Sequence, residues 1–192
     1  MIDRAMIGHD GTRFTIPFFA PNPDMRTSQA RPEILLTIRF RRDDLYGTET
    51  WDDKPIPKYS GMRGRNGLYL YPENLLARDF RDWVVVCEGE LDALRLWQEN
   101  IPAVSVTNGA GQLHRVPELL KPYSRIRRLF IAADRDEAGM LAGRKLTEVA
   151  RAKGYRVAES RWIEAKDVTE LYKGGGDLRK VQWHGDADQL PD

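Results

Sequence analysis

Leu129-Phe130-Ile131-Ala132-Ala133 is an apolar run that ends in Asp134, Arg135 and Asp136, with Gly139 three residues beyond. Val84-Val85-Val86-Cys87 is a second apolar run, ending in Glu88 and Gly89, with Asp92 four residues after Glu88. Carboxylates are hard oxygen ligands, and without a set of cysteine or histidine ligands they favour Mg²⁺ or Mn²⁺ over zinc. Ionised carboxylates held together repel one another until a dication neutralises them. An ion so held polarises a phosphoryl group and stabilises the charge that develops in phosphoryl transfer. Gly89 and Gly139 let the backbone turn beside such an ion with no side chain in the way. A single acid after a strand is most often a surface loop residue. Two acid-bearing turns, each with its own glycine, reverse that preference.

The elements that must position these acids follow from periodicity. Val84 to Cys87 is a short buried-type strand, and Glu90 to Glu99 is a helix with Leu91, Leu94 and Trp97 at helical spacing. Ala103 to Val106 is another strand, closed by Thr107-Asn108-Gly109-Ala110-Gly111. Pro117 suits the first turn of a short helix running to Tyr123. Leu129 to Ala133 is the third strand. A longer helix covers Ala138 to Lys153, with Ala142, Leu146, Val149 and Ala150 on one face and Gly154 as its stop. Arg156 to Ile163 reads as a fourth strand. Such alternation implies an α/β fold, a mainly parallel Rossmann-like sheet with helices on both faces. Ligands of open parallel sheets bind at the carboxyl ends of the strands. Glu88, Asn108 and Asp134 all fall on that edge, Asp136 is beside Asp134, Asp92 can serve as an outer carboxylate, and Asp167 can return to the same edge.

The first 80 residues are different, an irregular β-rich α+β part. Arg13 to Phe19 is a strand whose Pro17 suggests a sheet edge or a strand end. Pro21 to Pro32 reads as a long loop. Ile34 to Arg41 is a second strand, from whose end Arg39, Arg41 and Arg42 are expected to project together. Turn formers then dominate to Gly67, interspersed with Lys54, Lys58, Arg63 and Arg65, before a brief strand from Leu68 to Tyr71. Asp43, Asp44, Glu49, Asp52 and Asp53 offset much of this charge, so a solvated face explains the basic stretch as well as a nucleic-acid track does. Trp51, Tyr59 and Tyr69 can stack on bases or simply pack a small domain. The expected division is therefore 1–80, 81–173 and a tail from 174 to 192, opened by the Gly174-Gly175-Gly176 run.

Composition sets outer bounds. The 192 residues suffice for one good core or a domain with a smaller appendage, and 41% hydrophobic with 31% charged residues describes an ordinary globular chain. Net charge is +1, whereas a protein gripping long nucleic acid by itself is usually more basic. No apolar run reaches membrane-spanning length, and Met1 to Ala20 lacks the pattern of a signal peptide. Cys87 is the only cysteine, which excludes an internal disulfide or a multi-cysteine zinc site and fits a reducing cytoplasm. Beside Glu88 it reads as a structural thiol, not a nucleophile. His9, His114 and His184 share no spacing and are treated as incidental, and nothing marks Tyr155 or Tyr172 as a nucleophile.

Glu88-Gly89-Glu90-Leu91-Asp92 followed by Asp134-Arg135-Asp136-Glu137-Ala138-Gly139 resembles the TOPRIM domain of primases, topoisomerases and some nucleases and recombination proteins. Within that group the chain is most similar to DnaG-type bacterial and phage primases. Asn108-Gly109-Ala110-Gly111 sits where their middle glycine turn falls, and Lys166-Asp167 resembles their later Lys-Asp motif. Upstream, Phe14-Thr15-Ile16-Pro17, Ile38-Arg39-Phe40-Arg41, Lys58-Tyr59 and Leu68-Tyr69 follow the order of the basic subdomain that precedes TOPRIM in primases. The resemblance implies that Glu88, Asp134 and Asp136 bind Mg²⁺ or Mn²⁺ and are catalytic, with Asp92 and Asp167 supporting. It implies that Lys58 and Arg41, or Arg42 in its place, meet nucleic acid or nucleotide phosphate, with Arg63 and Asn108 on the same path. The implied activity is primer synthesis from nucleoside triphosphates on single-stranded DNA. A TOPRIM nuclease and a non-catalytic nucleic-acid-binding accessory are the alternatives. Thr169 stands where the primases often carry a further aspartate. Neither an N-terminal zinc module nor a helicase phosphate loop is present, so the chain is expected to be a core or a stand-alone relative served by a separate helicase or zinc-binding module.

Overall fold

Strand alternation and two-sided burial explain most of the architecture in the computed structural model, which describes residues 6–11, 13–20, 34–42, 50–51, 54–55, 57–62, 64, 67–161, 165–187 and 189–191. The chain divides into two units, Met1–Gly67 and Leu68–Asp192.

In the first unit β1 (Gly8–His9), β2 (Arg13–Ala20) and β3 (Ile34–Arg42) precede two short strands, β4 (Thr50–Trp51) and β5 (Lys54–Pro55), and then β6 (Tyr59–Gly61). An antiparallel sheet runs in the order β1-β2-β3-β6, and β4 and β5 pair separately. β1 covers only Phe14 and Thr15 of β2. Pro17, paired with Ile38 of β3, thus lies beyond the reach of β1, where its missing N–H breaks no ladder. Arg39 and Arg41 share one face of β3, while alternation turns Arg42 to the opposite face with Phe40. The three arginines therefore do not project together. Arg39 stacks over the Tyr59 ring at 5.0 Å and Arg13 over Phe40 at 4.4 Å, one on each face.

The second unit begins with β7 (Leu70–Tyr71) and a single helical turn, α1 (Glu73–Leu76). Next come β8 (Trp83–Cys87), α2 (Glu90–Gln98), β9 (Ala103–Val106), a 3₁₀ segment at Gly109–Arg115, and α3 (Val116–Leu119). They are followed by β10 (Arg128–Ala132), α4 (Glu137–Ala152), β11 (Arg156–Arg161), α5 (Val168–Lys173), a 3₁₀ turn at Leu178–Lys180 and β12 (Gln182–Gly185). The sheet order is β12-β11-β10-β8-β9-β7. The inner four strands are parallel, and β7 and β12 close the two edges antiparallel. From β8 the chain moves to β9 on one side and then crosses to β10 on the other. The topological switch point therefore lies between β8 and β10.

Period-two alternation builds a core on each face. Trp83, Val85 and Cys87 pack with Ala93, Leu96 and Trp97 of α2 and with Phe130 and Trp183. Val84 and Val86 pack with Leu146 and Ala150 of α4 and with Leu113 and Val116. The strand expected at Leu68–Tyr71 exists, but it hydrogen-bonds β9 and so belongs to the second sheet. The helix expected from Pro117 to Tyr123 is only one turn, because a 3₁₀ segment supplies most of the connection. The segment expected as a tail after Lys173 instead buries Leu178, Trp183, Ala187 and Leu190. Their spacing is too irregular to show as either period. Ile163, the expected end of the fourth strand, and the whole of the expected loop from Pro21 to Pro32 lie outside the described residues.

Trp183 is 3% exposed, and its ring meets Phe130 edge-on at 5.2 Å. Trp183→Ala is expected to lower stability by about 3–5 kcal/mol, as deletion of a buried aromatic does. Urea unfolding measures it, and a loss under about 1 kcal/mol would show that β12 is not part of the cooperative core.

Candidate functional site

β8 and β10 run in phase, Cys87 beside Ala132, so their carboxyl ends are level at the switch point. Glu88 is the first residue past β8 and Asp134 the second past β10. The Asp134 N–H donates to Glu88 Oε1 at 2.9 Å, which fixes the Glu88 carboxylate across the two strand ends. Ser105 Oγ donates to the Glu88 carbonyl at 2.7 Å and ties the same turn to β9. Gly139 explains why α4 approaches so closely. A side chain there would stand 2.4 Å from both the Asp134 carbonyl oxygen and Glu88 Oε1. Gly89 plays a smaller part, since a Cβ on it would meet Asp92 Oδ2 at 2.6 Å.

Three helices start on this edge, and their first-turn acids have local work. Asp136 caps α4 by accepting from the Gly139 N–H at 2.9 Å, and its other oxygen is 3.6 Å from Lys166 Nζ. Asp167 caps α5 by accepting from the Glu170 N–H at 2.7 Å. Asp92, in the first turn of α2, accepts from Thr169 twice, from its N–H at 3.1 Å and from Oγ1 at 2.5 Å. Thr169 thus holds an acid instead of adding one, a role that no spacing in the sequence signals. The Arg135 N–H donates to the Lys166 carbonyl at 2.9 Å, so the Lys166-Asp167 turn returns to the turn after β10.

The electrostatics centre on Asp134. Burial pushes its carboxyl up to about 7, helped by repulsion from Glu88, Asp92, Asp167 and Asp136 in that order. Glu88 is raised as well, chiefly by burial, against the lowering hydrogen bond from the Asp134 N–H. Cys87 is buried and pushed well above its usual value by that burial and by Asp92, Asp134, Glu90 and Glu88, in keeping with an inert thiol. Among the described residues no three Asp, Glu, His or Cys side chains stand close enough together to hold a metal ion. The donor set nonetheless fits a hard dication in kind and in charge, because five carboxylates act on one another here and each oxygen is a hard ligand. Direct ligation would exchange some of the hydrogen bonds just described.

Asn108, exposed and in the left-handed region at φ 71°, follows β9 on the same edge as Glu88. In the first unit Arg41 pairs with Tyr59, and the Arg42 N–H donates to the Lys58 carbonyl at 2.9 Å, which brings Arg41, Arg42 and Lys58 to one strand pair. Arg63 lies outside the described residues.

Comparison with known proteins gives this geometry its class. Residues 85–172, from within β8 to α5, match a family model described as Toprim-like. The chain is similar in fold to solved primase structures. It superimposes on the primase fragment of the bacteriophage T7 primase-helicase with a TM-score of 0.61 at 20% identity, over 91% of this chain and 64% of that one. The Aquifex aeolicus primase, with zinc-binding and RNA polymerase domains, gives 0.61 at 19% identity over 90% of this chain and 41% of that one. A DNA primase domain from Pseudomonas aeruginosa gives 0.62 at 20% identity over 96% and 59%. The chain therefore spans less than two thirds of each of these three. No curated protein sequence matches it.

In ion-free buffer the folded state holds the Asp134 proton to about pH 7, whereas an unfolded aspartate releases it near pH 4. Stability from this residue is therefore present below about pH 4 and lost as pH rises to about 7. Asp134→Asn should melt about 2–4 °C above wild type at pH 8 and not above it at pH 4, read by thermal denaturation. A wild-type advantage at pH 8 would contradict the charge excess. Gly139→Ala should destabilise by about 1–3 kcal/mol through overpacking, and an unchanged melting temperature would show that α4 is not seated on the Glu88–Asp134 bond.

Proposed function

We propose that this chain is the catalytic core of a DNA primase, joining ribonucleotides into short primers on single-stranded DNA with Mg²⁺ or Mn²⁺. The observation that carries the reading is the Glu88–Asp134 bond at the switch point, with the surplus of carboxylate charge around it. Glu88, Asp134 and Asp136 would hold the ion, and Asp92 and Asp167 would support it. A bound dication supplies charge neutralisation for phosphoryl transfer there. The chain's own groups do the rest. Glu88 fixes the turn that presents Asp134, and Lys166 beside Asp136 balances the edge. Arg41 or Arg42, Lys58 and Arg63 would hold template or nucleotide phosphates, and Asn108 would meet the strand at the sheet edge. Arginine forks suit phosphate geometry, and lysine adds a point charge.

The partners in this reading are single-stranded DNA and nucleoside triphosphates. Template choice would come from a separate helicase or zinc-binding module, the two kinds of attachment that the T7 and Aquifex proteins carry by description. Among the described residues no helix is long and apolar enough to cross a membrane. We place the protein in the cytoplasm.

A non-catalytic nucleic-acid-binding accessory is the second reading. It is favoured by the absence of a converged acid trio among the described residues and by the Thr169–Asp92 bonds. A primer-synthesis assay with Mn²⁺ or Mg²⁺, labelled nucleotides and single-stranded DNA decides between them. Wild type should yield short products, and Asp134→Ala should reduce them at least 10²-fold, the scale expected when an electrostatic group of the site is lost. Products equal in mutant and wild type would remove the metal mechanism. Shortening of labelled DNA without nucleotides would identify a nuclease, and DNA binding with neither reaction would identify the accessory.

A further inference from the structure

A cavity of about 460 Å³ opens between the first half of α4 and the ends of β10 and β11. That is within the usual range of small-molecule sites, about 300–1,000 Å³. Ile131, Ala133 and Gly143 give it an apolar floor, with the helix close to the strand at Gly143. A Cβ there would lie 3.3 Å from the Ala133 Cβ and 3.7 Å from Ile131 Cγ2. Met140 stands at the wall, 48% exposed.

The polar lining is charged and uneven. Arg135, Arg144 and Arg161 face two acids, Asp134 and Glu159. Among the described residues neither Arg144 nor Arg161 forms an ion pair, and Arg144 makes one 3.3 Å bond to the Met140 carbonyl of its own helix. Thr147 Oγ1 donates to Glu159 Oε1 at 2.6 Å and so fixes that carboxylate as an oriented acceptor. An apolar floor, guanidinium forks and one fixed acceptor suit a molecule with an aromatic ring, N–H donors and phosphate. Arginine also stacks on such rings. The cavity shares Asp134 with the acidic edge, so an occupant stands beside that edge.

We propose that this cavity binds a mononucleotide, with the base against Ile131, Ala133 and Gly143, an N–H of the base toward Glu159, and the phosphates on Arg144 and Arg161. The proposal rests on the nucleotide chemistry proposed above for the acidic edge, and it assigns that chemistry a pocket and two arginines.

Equilibrium binding of N-methylanthraniloyl-ATP in EDTA tests it, because no metal then contributes. Wild type should bind saturably, and ATP should displace the probe far better than adenosine. Arg144→Glu and Arg161→Glu, both on exposed positions, should each weaken binding about tenfold or more, the effect of losing a charge-assisted phosphate contact. Ala133→Leu, which fills the floor, should weaken it as well in protein that melts like wild type. No saturable binding, or binding that neither arginine reversal changes, would overturn the proposal. Loss with the arginine reversals but full binding in folded Ala133→Leu would also overturn it, because the probe would then sit on surface charge alone. The two readings fail separately. Nucleotide binding with these dependences but no primer synthesis leaves the pocket standing and removes the primase, whereas primer synthesis with an unchanged nucleotide KM in Arg144→Glu removes the pocket and leaves the primase.

Discussion

The bond from the Asp134 N–H to Glu88 Oε1 constrains the rest of the second unit. It exists only because β8 and β10 are parallel neighbours in phase, so that residues 46 apart in sequence leave the sheet at the same level. It leaves no room for a side chain at Gly139, and Gly143 one helical turn later again lets α4 lie close to β10. Two glycines on one helical face thus set the distance between helix and sheet. At the first the space is used by the acid pair, and the second lines the cavity beside Ala133.

A turn that gathers five carboxylates needs compensation within the fold. α2, α4 and α5 all begin at this edge, and the positive end of each helix dipole favours anionic groups nearby. Asp136 and Asp167 are themselves N-caps, a position where aspartate contributes about 1 kcal/mol. Thr169 gives Asp92 two donors, and Lys166 approaches Asp136. Two of the acids that the sequence offers as metal ligands, Asp136 and Asp167, are therefore also the residues that start α4 and α5. Net charge conceals this arrangement, because +1 for the chain averages an acidic turn with a neighbouring arginine-rimmed cavity.

Much of this fold is legible in the amino-acid sequence. Trp83 to Cys87, Ala103 to Val106 and Arg128 to Ala132 are continuous apolar runs because both faces of the sheet are covered, and such runs announce themselves. Acid at the end of two of them is a local pattern that a sequence preserves. What stays hidden depends on contacts distant in sequence. Thr169 reaches Asp92 across 77 residues, and nothing in its own neighbourhood marks it as a donor to that carboxylate. The end of the chain reads as a tail because a glycine run precedes it and its buried residues follow no period, yet an edge strand needs only four residues and one well-placed tryptophan. A run of arginines at a strand end suggests a cluster, but period-two alternation separates Arg42 from Arg41.

The distribution of hydrogen bonds among the acids explains why one of them, Asp134, holds its proton so far above the usual carboxylate range. Glu88 takes a backbone N–H, Asp136 and Asp167 take the N–H groups of their own helices, and Asp92 takes two donors from Thr169. Among the described residues the Asp134 side chain takes none. Hydrogen bonds to an ionised carboxylate stabilise its charge, so a group without them meets burial and repulsion uncompensated. That group is the one whose carboxyl is pushed up to about 7, and it stands where the switch point, the turn after β10 and the cavity meet. Capping engages Asp136 at α4 and Asp167 at α5. The least satisfied carboxylate is thus left where any incoming positive charge, a metal ion or a guanidinium, would relieve it most.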